Sequence, residues 1–221
     1  MAEVYGEKPK RFTREWWPYF WMYYRWHTII VVVAIIGIAI GVYQKATEVK
    51  YDLDIVYRSQ SLYIGENGEK ELIDTLVPFM EDATGDGEVH LFFNQINLSS
   101  DPQQEFANVD IRMKHDVEFV NPTYFLYIYD RAEIDMVEVS YRLGDMFMPA
   151  DMWADSIEGK DVRSSEDGTV YGVSLKDSKI MADCGIDSDN MYVFVRSDAI
   201  GKENNHIAKE NAMKLANELI K

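Results

Sequence analysis

Three oxygen-bearing side chains stand in the order that wraps a hard cation. Asp82, Thr84 and Asp86 fall at the first, third and fifth positions of a loop, with Gly87 at the sixth. A calcium loop of this kind closes on a bidentate carboxylate at position twelve, and that position is Phe93. Two readings follow. One is an extracellular calcium site completed by Glu88 or a backbone carbonyl. The other is an acidic, Gly-containing turn between a helix and a strand. Calcium is the one cofactor the sequence raises; otherwise none is expected.

The remaining reactive residue types do not converge in sequence. His27, His90, His115 and His206 are scattered without metal-ligand spacing. Cys184 is the single cysteine, so no intramolecular disulfide can form, and it lies in ADCGIDSDN with no histidine nearby. Asp183, Asp187 and Asp189 read as a solvated acidic loop. There is no Ser nucleophile elbow, no phosphate-binding Gly loop and no paired Cys/His motif. Carboxylate pairs are common only because the chain is acidic. The expectation is a protein that is not an enzyme.

Two further groups could recognise a ligand or partner. In open α/β sheets, ligands bind beyond the carboxyl ends of the strands. Those positions hold Arg58, Ser59 and Gln60, then Asn94 and Gln95, then Asp130 and Arg131. Residues of these types also terminate strands and cap helices, and Asp130 with Glu133 has the spacing of a capping box. The second group is Met146, Phe147, Met148, Met152 and Trp153, in and beside a loop. Met and aromatic side chains suit adaptable binding surfaces and equally suit a core, so Met148, Met152 and Trp153 carry both readings.

The elements that would position these residues follow from periodicity. Alternation predicts strands over 51–59, 88–96, 123–130, 169–175 and 191–197. Helical spacing predicts helices over 68–82, bent or ended near Pro78, and over 99–120, 131–147 and 205–221. Residues 148–168 read as loop. Strand–helix alternation implies parallel strands with crossover helices, hence one three-layer α/β domain with a mostly parallel sheet over 51–221.

Ahead of that domain lies TIIVVVAIIGIAIGVY, residues 28–43, sixteen positions without a charge. With Trp26 and His27 it reaches about 27 Å as a helix, close to the roughly 30 Å of a bilayer core. It is apolar all round, as a transmembrane helix is and a surface helix is not. Gly37 and Gly41 have the small-xxx-small spacing of paired helices. Residues 11–27, RFTREWWPYFWMYYRWH, form an aromatic segment suited to the headgroup layer or to docking on another membrane protein; Thr13 could cap a helix that Pro18 enters early or kinks. Residues 1–10 read as a disordered tail and 44–50 as a linker.

Charge sets the expected topology. Residues 1–45 carry six Lys/Arg and three Asp/Glu, whereas 46–221 carry sixteen and thirty-five. Basic residues precede the apolar span, placing the N-terminus in the cytoplasm and the domain outside the cell membrane. The long aromatic lead and the poor cleavage site, with Ala46 nearest, favour an uncleaved anchor over a signal peptide. An acidic domain repels nucleic acid and anionic lipid, so nucleic acid is excluded as a partner. The expected partners are the lipid bilayer and another membrane or cell-surface protein.

Two stretches together carry a resemblance: WWPYFWMYYRWH running into an Ile/Val anchor, and an acidic domain ending in YGVSL, MYVFVRS and a Lys-containing helix. The chain resembles single-pass membrane proteins of Gram-positive bacteria whose outer domain is similar to one lobe of a type II periplasmic solute-binding protein. YGVSL is similar to the strand that returns to the first lobe in those proteins. The resemblance implies the fold of one lobe. It does not carry transport-type ligand binding, because 148–168 is too short for a second lobe. The function expected is a membrane-anchored extracytoplasmic binding or interaction module without catalysis; the alternative is a structural or accessory subunit of a membrane complex.

Overall fold

The structure is a computed structural model that describes residues 9–60, 62–97, 123–199 and 206–221, together with Met113 and Val117. The chain divides into two compact units, Met1–Val49 and Lys50–Lys221.

The first unit contains one unbroken helix, α1, Trp16–Ala46. Its 31 residues make it about 46 Å long. An 18-residue window within it has a mean hydropathy of 2.2 and is wholly unburied. The helix is long and apolar enough to cross a membrane. The aromatic segment and the apolar span are thus continuous. Pro18 is the third helical residue, where its missing N–H forfeits no intrahelical bond, so the helix starts there without a kink. Thr13 does not cap it: the Thr13 hydroxyl donates to the Lys10 carbonyl at 2.8 Å. Rings four residues apart stack along one side, Trp16 on Phe20 at 4.8 Å and Phe20 on Tyr24 at 5.5 Å. Thr28 hides its hydroxyl against the Tyr24 carbonyl at 3.0 Å, which removes a polar cost from the apolar stretch.

The second unit is an α/β domain around a six-stranded sheet. The strands are β1 Leu53–Ser59, β2 Leu91–Asn97, β3 Leu126–Asp130, β4 Val162–Ser164, β5 Val170–Ser174 and β6 Met191–Val195, in the order β2-β1-β3-β6-β5-β4. β1 pairs in parallel with β2 and β3. Beyond β3 the sheet is mixed: β6 is antiparallel to β3, β5 to β6 and β4 to β5. The mostly parallel sheet expected from the alternation is found at the β2-β1-β3 core, while the sheet as a whole is mixed. Periodicity reports which face a residue occupies but not strand direction. Direction follows from the connections, and the turn between β4 and β5 is too short for a crossover.

The helices are α2 Glu66–Leu76, α3 Arg131–Ser140, α4 Leu143–Met146, α5 Lys179–Asp183 and α6 His206–Leu219. At Pro78 α2 gives way to a 3-10 turn, Val77–Phe79, as the sequence predicts. The helix expected over 131–147 is two: α3 stops at Ser140, Tyr141 is extended, and α4 adds one turn. The 148–168 loop contains a 3-10 turn, Ala150–Met152, and the short edge strand β4. The helix expected over 99–120 lies outside the described residues, apart from Met113 and Val117.

Apolar residues are buried on both faces, giving three layers. One core is mainly aliphatic: Leu53 and Ile55 of β1 meet Leu72 and Leu76 of α2 and Leu215 and Leu219 of α6, all fully buried. Truncating one of these to Ala costs about 2–5 kcal/mol. The other core, under α3 and α4, is aromatic, with Tyr127, Tyr129, Phe147, Tyr171, Tyr192 and Phe194. Alternation along β1 sends Val56 to this second core and Tyr57 to the first.

Candidate functional site

The sheet has a topological switch point between β1 and β3. The chain leaves β1 for α2 over the aliphatic core and leaves β3 for α3 over the aromatic core. Adjacent parallel strands whose helices depart to opposite faces open a crevice at their carboxyl ends.

Asp130 bridges that crevice. One carboxylate oxygen, Oδ2, accepts from the Ser59 hydroxyl at 2.9 Å and from the Gln60 backbone N–H at 2.6 Å. The other, Oδ1, accepts from the Glu133 backbone N–H at 2.8 Å and caps α3. Ser59 and Asp130 are 1% and 3% exposed. Gln60 donates onward to the Glu133 carboxylate at 2.9 Å, and the Ser59 oxygen accepts from the Leu62 N–H at 2.8 Å. Half of the expected capping box is therefore present; the Glu133 side chain reaches Gln60 instead.

The other strand-end residues lie apart from this bridge. Gln95 forms a two-way pair with the Ile64 backbone, accepting at 2.8 Å and donating at 3.1 Å, and so fastens the start of α2 to β2. Asn94 sits half-buried on β2 opposite Val56. Arg58 is 2% exposed and shares the Val56 side of β1, within the second face rather than at its rim.

Along α3, a network lies that no local spacing announces. Tyr192 donates its hydroxyl to Asp161 at 2.5 Å, and Arg131 donates to both, at 2.7 Å to the Tyr192 oxygen and 2.9 Å to Asp161. Arg163 lies 5.1 Å over the Tyr192 ring and pairs with Asp135 at 2.7 Å. The Tyr192 hydroxyl bond, aided by the Arg131 charge, holds the Asp161 carboxyl below the usual carboxylate range. Burial, then the same bond to Asp161, pushes the Tyr192 phenol up. These residues tie β4 and β6 to α3. Sequence reading picks out Arg131 alone, since its partners lie 30 and 61 residues away.

At the loop beginning with Asp82, the carboxylates face backbone donors. Asp82 Oδ1 accepts from the Gly85 N–H at 2.6 Å and Oδ2 from the Gly87 N–H at 2.8 Å. Those two bonds, with Gly87 the larger influence, hold the Asp82 carboxyl below its ordinary range. Thr84 donates its hydroxyl to Asp82 at 3.3 Å, and Asp86 accepts from the Glu88 N–H at 3.1 Å. Gly85 and Gly87 have φ of 75° and 90°, the left-handed region that lets successive N–H groups turn inward. From below, buried Asp52 accepts from the N–H groups of Ala83, Thr84 and His90. Among the described residues, no three His, Cys, Asp or Glu side chains group as a metal site.

The Met and aromatic group divides. Met148 and Trp153 are 3% and 6% exposed and belong to the aliphatic core. Met152 is 59% exposed and borders a groove of about 340 Å³ shared with Met213 and Lys214. Cys184 is buried, and burial pushes its thiol up, the opposite of an activated nucleophile.

No family model matches the chain, and comparisons with curated proteins and with solved structures return no match either.

Proposed function

We propose that this protein is a membrane-anchored extracytoplasmic binding or interaction module, with one periplasmic-binding-like lobe held outside the cell by α1. The observation that carries the reading is α1 itself: 31 residues, apolar on every side and without a buried residue, followed by an α/β unit with its own two-sided core. A helix with no polar face has lipid as its natural surroundings. Charge supports the orientation, since basic residues crowd the N-terminal side of the span.

The domain's own geometry supports an interaction role. Its chain begins at residue 50, beside the amino end of β1, and the Asp130 bridge stands at the opposite end of the sheet. Ser59, Gln60 and Asp130 are engaged with one another and Gln95 with the Ile64 backbone, which favours recognition of a partner's surface over deep enclosure of a solute. Ser59, Asn94, Gln95 and Asp130 then shape that end, with Arg58 buried behind them, and exposed Met152 offers a separate apolar contact on the groove it shares with Met213 and Lys214. The stacked aromatic face of α1 favours the second reading, an accessory subunit docked through the membrane.

Affinity purification from detergent, using three forms of the chain, separates the readings. A partner retained by the wild type and by a form with Trp16, Phe20 and Tyr24 changed to Leu, but lost when Lys50–Lys221 is removed, supports the interaction module. A partner lost only with the aromatic face supports the accessory subunit.

A further inference from the structure

A second groove, of about 570 Å³, opens at the end of the sheet opposite the Asp130 bridge. Its location follows from strand direction: β5 runs with β3 across two antiparallel pairings, so the β4–β5 turn lies where β1 and β3 begin. One wall is the α3–α4 corner, with Arg142, Gly144 and Asp145; the other is the turn carrying Glu166 and Asp167. The size falls within the roughly 300–1,000 Å³ usual for small-molecule pockets.

The floor is Tyr171. Its ring is packed in the aromatic core and the residue is only 9% exposed. Its hydroxyl reaches the groove wall, where a Cβ added to Gly144 would lie 2.7 Å from it. Among the described residues that hydroxyl has no hydrogen-bond partner, and it is left open to the groove. Gly144 leaves the space in front of it open.

The lining charge is four carboxylates against one guanidinium: Glu138, Asp145, Glu166 and Asp167 against Arg142. Two of the carboxylates are engaged. Asp167 accepts from Ser165 and from the Thr169 N–H, and Glu138 lies 3.9 Å from Arg163. Asp145 and Glu166 have no ion pair or side-chain hydrogen bond among the described residues. Burial pushes the Glu138 carboxyl up, and Arg163 only partly offsets it.

We propose that this groove binds an alkylammonium group, which donates to the Tyr171 hydroxyl oxygen and is neutralised by the carboxylates of Asp145 and Glu166. An ammonium has three donors and no acceptor, matching an acceptor-rich floor and rim. The tyrosine supplies a fixed acceptor and the carboxylates supply the charge. Arg142 is the one cation among the lining residues. This inference is independent of the role given to the Asp130 end.

Isothermal titration of the full chain in neutral detergent micelles tests it, with two probes carrying the same group. Cadaverine represents a free amine and the peptide acetyl-Gly-Lys-Gly-amide a protein side chain; whichever binds more tightly identifies the source. Tyr171→Phe is expected to weaken the tighter probe about tenfold while leaving the thermal midpoint unchanged. Asp145→Asn with Glu166→Gln should weaken it at least as much. Glu71→Gln with Asp74→Asn, equal in charge but on α2, should change it less than twofold. The proposal is overturned if neither probe binds, if Tyr171→Phe binds as the wild type does, if Tyr171→Phe lowers the midpoint, or if the α2 pair weakens binding as much as the groove pair. That last result would mean only the general negative field of the domain.

Discussion

The two ends of the sheet spend their polar groups differently. At the carboxyl ends of β1 and β3, where an open α/β sheet conventionally binds ligands, Asp130 draws Ser59, Gln60 and the first turn of α3 onto itself. At the amino ends, Tyr171 is nearly as buried, but among the described residues its hydroxyl has no hydrogen-bond partner and the Asp145 and Glu166 carboxylates have no ion pair. Position in a fold nominates a site; the balance of donors and acceptors shows where capacity is left over.

That contrast predicts opposite responses to removing a single polar group. Asp130→Ala strips the acceptor from three donors and uncaps α3, so urea unfolding should show a loss of about 3 kcal/mol, the sum of a cap and buried unmet donors. A loss under about 1 kcal/mol would mean water replaces the carboxylate and the crevice is open. Tyr171→Phe, at the other end, should cost less than about 0.5 kcal/mol in the same measurement, because no described bond is lost.

Between the ends, Gly172 of β5 faces Phe194 of β6 across an antiparallel pair, and a Cβ there would overlap the Phe194 ring. Gly172→Ala should therefore cost about 2 kcal/mol by overpacking. Near-wild-type stability would show that the aromatic core can shift, and with it Tyr171.

Much of this domain is legible in its sequence. The strands of YDLDIVYRS, TYFLYIYD and MYVFVRS carry enough β-branched and aromatic residues to declare themselves, and Asp130 declares the start of α3. Strand direction does not, because a parallel and an antiparallel strand bury the same alternate residues. β4 is missed because its three residues, VRS, are too short and too polar to show a period. The groove is missed for the same reason: its walls are the β4–β5 turn and a helix break after Ser140, and neither leaves a periodic mark. The Asp161–Tyr192 bond joins residues 31 apart through tertiary structure alone. Asp82 is legible as a turn, whereas the inward-facing Gly85 and Gly87 N–H groups that occupy its oxygens require coordinates.

The smallest effects concern that turn. The Asp82 carboxyl is held below its unfolded value, so its stabilising contribution is present above about pH 4 and is lost as pH falls through the lowered folded pKa. Asp82→Asn should lower the thermal midpoint slightly at pH 7, and the gap from wild type should shrink below about pH 4. A constant gap would assign the effect to geometry rather than charge. With its oxygens already facing N–H donors, the loop should melt at the same temperature in millimolar calcium and in chelator. A calcium-dependent rise lost in Asp82→Asn would instead make it a weak extracellular site.

The central claim is that α1 anchors an outward-facing domain, and protease added to intact cells tests it most directly. Cleavage should remove the domain beginning near residue 50 and leave a small membrane-bound fragment containing α1, retained through alkaline carbonate washing. A domain that stays intact until the cells are lysed, or a mature N-terminus at Ala46, would contradict it.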